Sequence, residues 1–318
     1  MCKKALITGI TGQSGSYMAE LLLDKGYIVH GIVRRISHPN FENIQSFIGH
    51  VTLHHGDMTD SVSLHNIIAK VHPDEIYNFA GMSQVRVSYD TPVSTFDVNT
   101  LGLLRIIESV RSLDLDCKIY QACSSEMFGK VQEFPQKETT PFYPRSPYGV
   151  SKAAAYYMAK TYREAYGMKI YTGILFNHES PRRGCEFLSR KVCDGVAEIV
   201  KGKREKITLG NLDAKRDWGY AKEYMEWVYK IMQHVRPDDF IIATGESHSV
   251  KEFIKEAFAC VGIEDWEKYV EFDKNLLRAA EVDVLQGDYT KSEVILGYEP
   301  KVKFKELVKI MMEAALHD

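Results

Sequence analysis

The chain lacks a cysteine pattern. Its six cysteines, Cys2, Cys117, Cys123, Cys185, Cys193 and Cys260, are scattered over 318 residues and never stand as C-x-x-C. That excludes a disulfide framework or a cysteine-held zinc site, and it predicts reduced thiols in a cytoplasmic enzyme with no metal. It also lacks any run of about 18 apolar residues, so no membrane-spanning helix is expected. The apolar start at 5–8 stops at Gly9, too early for a signal-peptide core. Neither charge dominates: 40 Lys and Arg against 43 Asp and Glu leave a formal net charge of −3. A partner bound through bulk positive charge, such as nucleic acid, is therefore not expected. There is no internal repeat, low-complexity tract or flexible linker. What is present is ordinary globular composition, 45% hydrophobic and 26% charged. A chain this long buries roughly three quarters of its unfolded surface and needs no covalent staple.

The first 125 residues alternate short β-branched runs with longer amphipathic stretches. Strands are predicted at 5–8, 27–33, 51–54, 75–78 and 118–122, with helices at 16–25, 62–71 and 95–112. This alternation predicts an α/β, Rossmann-type, doubly wound parallel sheet with helices on both faces. A long helix is expected from Tyr148 to Tyr166, then strands at 170–176 and 241–244 and helices at 249–261 and 304–316. The loops at 177–190 and 210–219 read as irregular and charged. Residues 1–170 are expected to form the dinucleotide half, with about 211–245 returning to it. Residues 171–318 then form a smaller C-terminal substrate-binding α/β lobe. Ligands on such sheets bind beyond the carboxyl ends of the strands.

Directly after the first strand comes Gly9-Ile10-Thr11-Gly12-Gln13-Ser14-Gly15, a G-x-x-G-x-x-G turn feeding a helix. Glycines at Gly9, Gly12 and Gly15 allow a tight turn and close backbone approach to a pyrophosphate at the helix N-terminus. The second predicted strand ends in Arg34 and Arg35, where an acid would hold the ribose of NAD. Two guanidinium groups suit a 2′-phosphate instead, so NADP is the expected cofactor. Asp57 and Met58 follow the third strand. Asp57 can accept from the adenine amino group with Met58 packed on the ring, or it can serve as a helix N-cap.

Tyr148 and Lys152 stand four apart, one turn apart on a single helical face. A free phenol titrates near 10, and an ammonium beside it favours the phenolate. The pair predicts a base for a sugar hydroxyl during hydride transfer. Ser124, at the end of the fifth strand, is the hydroxyl expected to bond the reacting oxygen. Glu126, two residues on, is a carboxylate suited to removing a proton from carbon beside a ketone and protonating a departing hydroxyl.

The glycine turn, Ser124 and Tyr148-x-x-x-Lys152 together resemble the extended short-chain dehydrogenase/reductases, which act on nucleotide sugars. Segments 5–17, 30–35, 130–148, 173–184, 209–218 and 281–291 are similar to the GDP-mannose 4,6-dehydratases in particular. The resemblance implies that Ser124, Glu126, Tyr148 and Lys152 form the catalytic group. It places Thr11, Gln13, Arg34, Asp57, Met58, His178 and Arg183 at NADP, beside the glycines, Arg35, Tyr148 and Lys152. It places Ser83, Asn177, Lys191, Leu209, Gly210, Arg216, Arg278 and Glu281 at a GDP-sugar. It also implies a homodimer or homotetramer.

The chain departs from the family pattern at several positions. Ser14 stands where the family usually has aspartate, and Cys123-Ser124 replaces a serine–threonine pair. Residues 79–83 lose an amide near the cofactor, and Tyr220 replaces a histidine. The loop at 36–43 is short and lacks the serines that reach a neighbouring subunit. The rival readings are a reductase of the 4-keto product, an epimerase, and a dinucleotide-sensing regulator without catalysis.

Overall fold

A computed structural model describes residues 2–277 and 280–317, so Arg278 lies outside the described residues. Seven strands make one parallel sheet: β1 (Lys4–Thr8), β2 (Ile28–Val33), β3 (Val51–His55), β4 (Glu75–Asn78), β5 (Lys118–Ser124), β6 (Ile170–Leu175) and β7 (Asp239–Ile242). Their order is β7-β6-β5-β4-β1-β2-β3. Strands β4, β6 and β7 are buried throughout, as a sheet covered on both faces requires. Helices α1 (Gln13–Asp24) and, later in the chain, Ala221–Gln233 pack together on one face. Helices α2 (Ser61–Val71), α3 (Gly102–Ser112) and α4 (Pro147–Tyr166) lie on the other.

The strand order reverses between β1 and β4, and a crevice opens there. Its floor is a buried polar ladder. Thr8 donates to Asn78 Oδ1 at 2.6 Å, and Asn78 Nδ2 donates to Gln121 Oε1 at 2.7 Å. These side chains fix the three strand ends against each other beneath the cleft.

Helix α4 has clear start and stop signals. Ser146 accepts from the Gly149 N–H at 3.0 Å, Pro147 occupies the first turn, and Gly167 ends the helix at φ +64°. Its middle is bolted to the sheet, because Tyr156 donates to Asp239 at 2.8 Å and Arg163 pairs with the same carboxylate at 2.7 Å.

The region predicted as one helix at 95–112 is three pieces: Pro92–Phe96, a wide π turn at Asp97–Leu101, and α3. The wide turn aims two polar residues at α4. Asn99 Nδ2 donates to Ser151 Oγ at 2.9 Å, and Thr100 Oγ1 donates to the Ser151 carbonyl at 2.7 Å. The strand expected at 241–244 lies two residues earlier, because Thr244 turns away to Asp217.

The C-terminal part of the chain has its own core. Helices α5 (Leu188–Val200), α6 (Ala221–Gln233), α7 (Val250–Ala259) and α8 (Phe304–His317) follow in order. Trp218, Phe253 and Phe304 pack between α5, α7 and α8. The 177–190 and 210–219 loops are less irregular than their sequence suggests, since Asn177–Glu179 pairs in parallel with Trp218–Tyr220.

Buried Asp217 ties this region together. Its carboxylate accepts from the Thr244 N–H and hydroxyl, both at 2.7 Å, from Gly245 N–H at 3.0 Å and from Gly287 N–H at 3.1 Å. Burial pushes its pKa up to about 6 against the pull of these four donors. Asp217→Ala orphans three buried N–H groups at roughly 1–3 kcal/mol each. The variant is expected to lose at least about 3 kcal/mol of stability, read as a lower urea midpoint at unchanged slope.

Candidate active site

A cleft of about 720 Å³ runs along the carboxyl ends of the strands and continues into the C-terminal region. The glycine turn forms one wall. Gly9 sits at φ +68°, its carbonyl accepts from Gly12 N–H at 3.0 Å, and a Cβ on Gly15 would fall on that carbonyl. Only glycine leaves the backbone bare at both places. Asn43 Nδ2 donates to the Thr11 carbonyl at 3.0 Å and braces the turn from outside. The sequence reading missed Asn43.

Arg34 lines the cleft, whereas Arg35 is exposed outside its lining. Asp57 and Met58 also line it. Burial pushes the Asp57 carboxyl up, but the Thr59 N–H and hydroxyl, with Arg34 and Arg105 nearby, hold it below its usual value. Asp57 is not the cap of α2; that role belongs to Asp60, which accepts from Val62 N–H at 3.0 Å. Met58 is buried and packs against Gly102.

At the centre stand Ser124, Glu126, Tyr148 and Lys152, all buried and all on the cleft wall. The Ser124 hydroxyl lies beside the Tyr148 phenol and favours its ionised form, and Ser124 Oγ accepts from Glu126 N–H at 3.2 Å. Gly149 permits this crowding, because a Cβ there would meet the Glu126 carbonyl at 2.7 Å. Lys152 Nζ donates to the Ala122 carbonyl at 2.9 Å and lies 5.9 Å from the Tyr148 ring centre. Burial dominates both groups. It raises the Tyr148 pKa to about 12, with Glu126 adding to the rise and Ser124 and Arg183 opposing it. It lowers that of Lys152. Burial therefore outweighs the lysine, and the phenol is not depressed as the four-residue spacing predicts.

Asn99 was also missed. It donates to Ser151 on α4 and to the Met82 carbonyl at 3.2 Å, while its Oδ1 accepts from Met82 N–H at 2.9 Å. A polar Asn-Thr pair inside an otherwise apolar helical pattern is the signal that marks it.

The segment after β6 closes the cleft over α1. Gln13 Nε2 donates to the His178 carbonyl at 2.9 Å, and Ser180 donates to Gln13 Oε1 at 2.7 Å. Arg182 lies over the Tyr17 ring at 4.1 Å and pairs with Glu20. Arg183 stacks on Phe187 at 3.6 Å and pairs with buried Glu179 at 3.1 Å. Further along, Ser83, Asn177, Lys191, Leu209 and Gly210 line the cleft. Lys191 Nζ donates to the Thr208 carbonyl at 2.7 Å. Arg216 is buried behind the wall, 3.9 Å from Glu126, and donates to the Lys215 and Val282 carbonyls. Glu281 is not part of the lining.

A family model described as GDP-mannose 4,6 dehydratase matches residues 6–311. The chain belongs to that family. A GDP-mannose 4,6 dehydratase from Homo sapiens is 49% identical over 336 residues, covering 98% of this chain and 90% of its own. One from Vibrio cholerae is 44% identical over 351 residues, covering 98% and 93%. The fold is shared more widely. The dTDP-glucose 4,6-dehydratase of Bacillus anthracis in complex with NAD superposes with a TM-score of 0.86 at 20% identity, over 98% of this chain and 96% of that one. The protein RMD from Pseudomonas aeruginosa, complexed with NADPH, superposes at 0.82 with 19% identity over 99% of each. Among the described residues no helix is long and apolar enough to cross a membrane, and no three His, Cys, Asp or Glu side chains gather as a metal site.

Proposed function

We propose that the protein removes water from GDP-mannose, giving GDP-4-keto-6-deoxymannose, with NADP as a cofactor recycled in place. Membership of the family carries the reaction, and the Ser124–Glu126–Tyr148–Lys152 cluster in the cleft carries the mechanism. The chain fits a nicotinamide dinucleotide. The bare glycine turn at the start of α1 receives a pyrophosphate, Met58 and Asp57 border the place for an adenine, and Arg34 stands where a 2′-phosphate would need a cation. Held by the glycine turn, Arg34, Asp57 and Met58, a nicotinamide would supply a hydride acceptor for C4 of the hexose and a hydride donor for C6.

The chain's own residues move the protons. Tyr148, with the Ser124 hydroxyl beside it, accepts the proton of the C4 hydroxyl. Its phenol needs added positive charge to ionise; Arg183 supplies part of it, and a nicotinamide cation held beside it would add to this. The C4 ketone acidifies the hydrogen on C5. Glu126 takes that proton and passes one to the C6 hydroxyl, which departs as water; hydride addition at C6 would then be matched by a proton at C5, equal to the one Tyr148 removed, so that one water is the net loss. Lys191, Asn177, Leu209 and Gly210 provide the more distant wall of the cleft, where the GDP moiety is held, with Ser83 nearer the sugar. Arg216, Arg278 and Glu281 complete that set from the resemblance.

Residues 1–170 with 211–245 act as the dinucleotide half and the remainder as the nucleotide-sugar half. Exposed Val93, Phe96, Leu101, Val150 and Tyr157 on the 92–101 segment and α4 support assembly with a second copy of the chain. Free cysteines support a cytoplasmic, reduced setting.

Incubation with GDP-mannose and a trace of NADP⁺ tests the reaction. Complete conversion to a product lighter by one water supports it, while a gain of two hydrogens on a keto-sugar at the cost of NADPH indicates a reductase. Arg34 sets the cofactor. Loss of a charge-assisted phosphate contact costs about 1.5–3 kcal/mol, so Arg34→Ser is expected to weaken NADP binding by roughly 10–100-fold and leave NAD binding nearly unchanged, measured by calorimetric titration.

A further inference from the structure

Ser14 is the second residue of α1, at the mouth of the cleft, and its Oγ lies 2.9 Å from His178 Nε2. The other ring nitrogen, Nδ1, lies 3.0 Å from the Phe176 carbonyl. A carbonyl only accepts, so Nδ1 carries a proton. We propose that Ser14 is a positioning residue for His178: its hydroxyl donates to Nε2 and holds the imidazole as the neutral, Nδ1-protonated tautomer in the cleft wall. The functional consequence below rests on the dehydratase reading.

The contacts exclude the opposite tautomer, which would set a lone pair on Nδ1 against the Phe176 oxygen. They leave the neutral ring or the cation, and the surroundings decide between them. The charged groups that face the ring are Arg183 from the same segment and Lys152 from α4, both positive. Tyr224 from α6 stacks on the ring at 5.5 Å and brings no charge. Glu179, the neighbouring residue, is engaged by Arg183 and Ser189. No carboxylate is therefore paired with the imidazole among the described residues. Burial, followed by Arg183, depresses its pKa to about 4 in spite of the Phe176 bond. Gln13 holds the backbone of the same segment through the His178 carbonyl, and a ring swung away from Ser14 would also lose its Nδ1 contact with the Phe176 carbonyl.

The arrangement removes a titration from the active site. With His178 neutral, the imidazole adds no charge to that of Lys152 and Arg183 near the phenol, and no acid limb of the turnover profile belongs to it. An aspartate at position 14 would place a carboxylate within hydrogen-bond distance of Nε2 and favour the imidazolium, raising its pKa by about 1–3 units.

The test is ¹⁵N NMR of the histidine rings in the full-length protein without substrate, with His178→Gln used to assign the signal. The wild-type ring is expected to show one neutral, Nδ1–H tautomer and no protonation near the ordinary midpoint of 6.5. Ser14→Ala should move the Nε2 resonance and Ser14→Thr should restore it. Ser14→Asp should raise the proton affinity of the ring by roughly 10–1,000-fold and add to the kcat profile an acid limb that the parent lacks. A wild-type ring that titrates near 6.5, an Nε2–H tautomer, or an Nε2 resonance unmoved by Ser14→Ala overturns the proposal. Because the ring is read without turnover, such a failure is separate from a failure of the dehydration assay.

Discussion

Glu126→Gln is expected to bind NADP as tightly as the parent and to lose dehydration by about 10²–10⁴-fold, the usual worth of a positioned acid–base group. The reason is its place. Glu126 follows the Ser124 strand end, is buried in the cleft wall, and donates its backbone N–H to the Ser124 hydroxyl. An amide at the same position keeps the backbone and the packing but accepts no proton from C5. The first half-reaction does not need that carboxylate. Addition of GDP-mannose to the variant should therefore build up reduced cofactor fluorescence and a 4-keto sugar that retains its C6 hydroxyl. Normal turnover would remove Glu126 from the mechanism, and absence of any reduced cofactor would mean that the glutamate acts in the first step instead.

Tyr148→Phe is expected to fail earlier. The phenol lies beside the Ser124 hydroxyl and one helical turn before Lys152, whose Nζ is 5.9 Å from its ring centre. Removing its oxygen leaves no base for the C4 hydroxyl, and a loss of about 10²–10⁴-fold in kcat is expected, with no transient reduced cofactor. The fold should be unaffected, because the ring stays packed and no backbone group loses a partner. The pH dependence separates this residue from Glu126. Burial holds the ligand-free phenol at about 12. Ionisation is favoured only when positive charge joins the site, so kcat should rise with pH through a limb that lies well below that value and that Tyr148→Phe abolishes.

Much of this was legible in the sequence, and the reasons are local. Strand and helix periodicity, the glycine turn and the four-residue Tyr–Lys spacing depend on near neighbours in the chain. All of these appear in the folded molecule at the carboxyl ends of the strands. What escaped the sequence depends on partners far apart. The Ser14–His178 contact joins residues 164 positions apart, and the Gln13–Ser180 contact joins residues 167 apart. The Asp217 network needs loops from three places in the chain. The π turn at Asp97–Leu101 is chosen by what α4 offers to Asn99 and Thr100, and a helical pattern does not show it. The Tyr148 phenol is a case where the right pair of residues led to the wrong sign: spacing shows the ammonium, and only the packed structure shows the burial that outweighs it.

The most direct measurement of the central claim follows one atom. GDP-mannose carrying deuterium at C4 is converted in a mixture with undeuterated GDP-mannose bearing a heavy-carbon ring, and the product methyl groups are analysed by mass spectrometry and NMR. Internal hydride return predicts deuterium on the C6 methyl of the same molecules that carried it at C4. Deuterium lost to water, or found on the heavy-carbon product, would contradict the account.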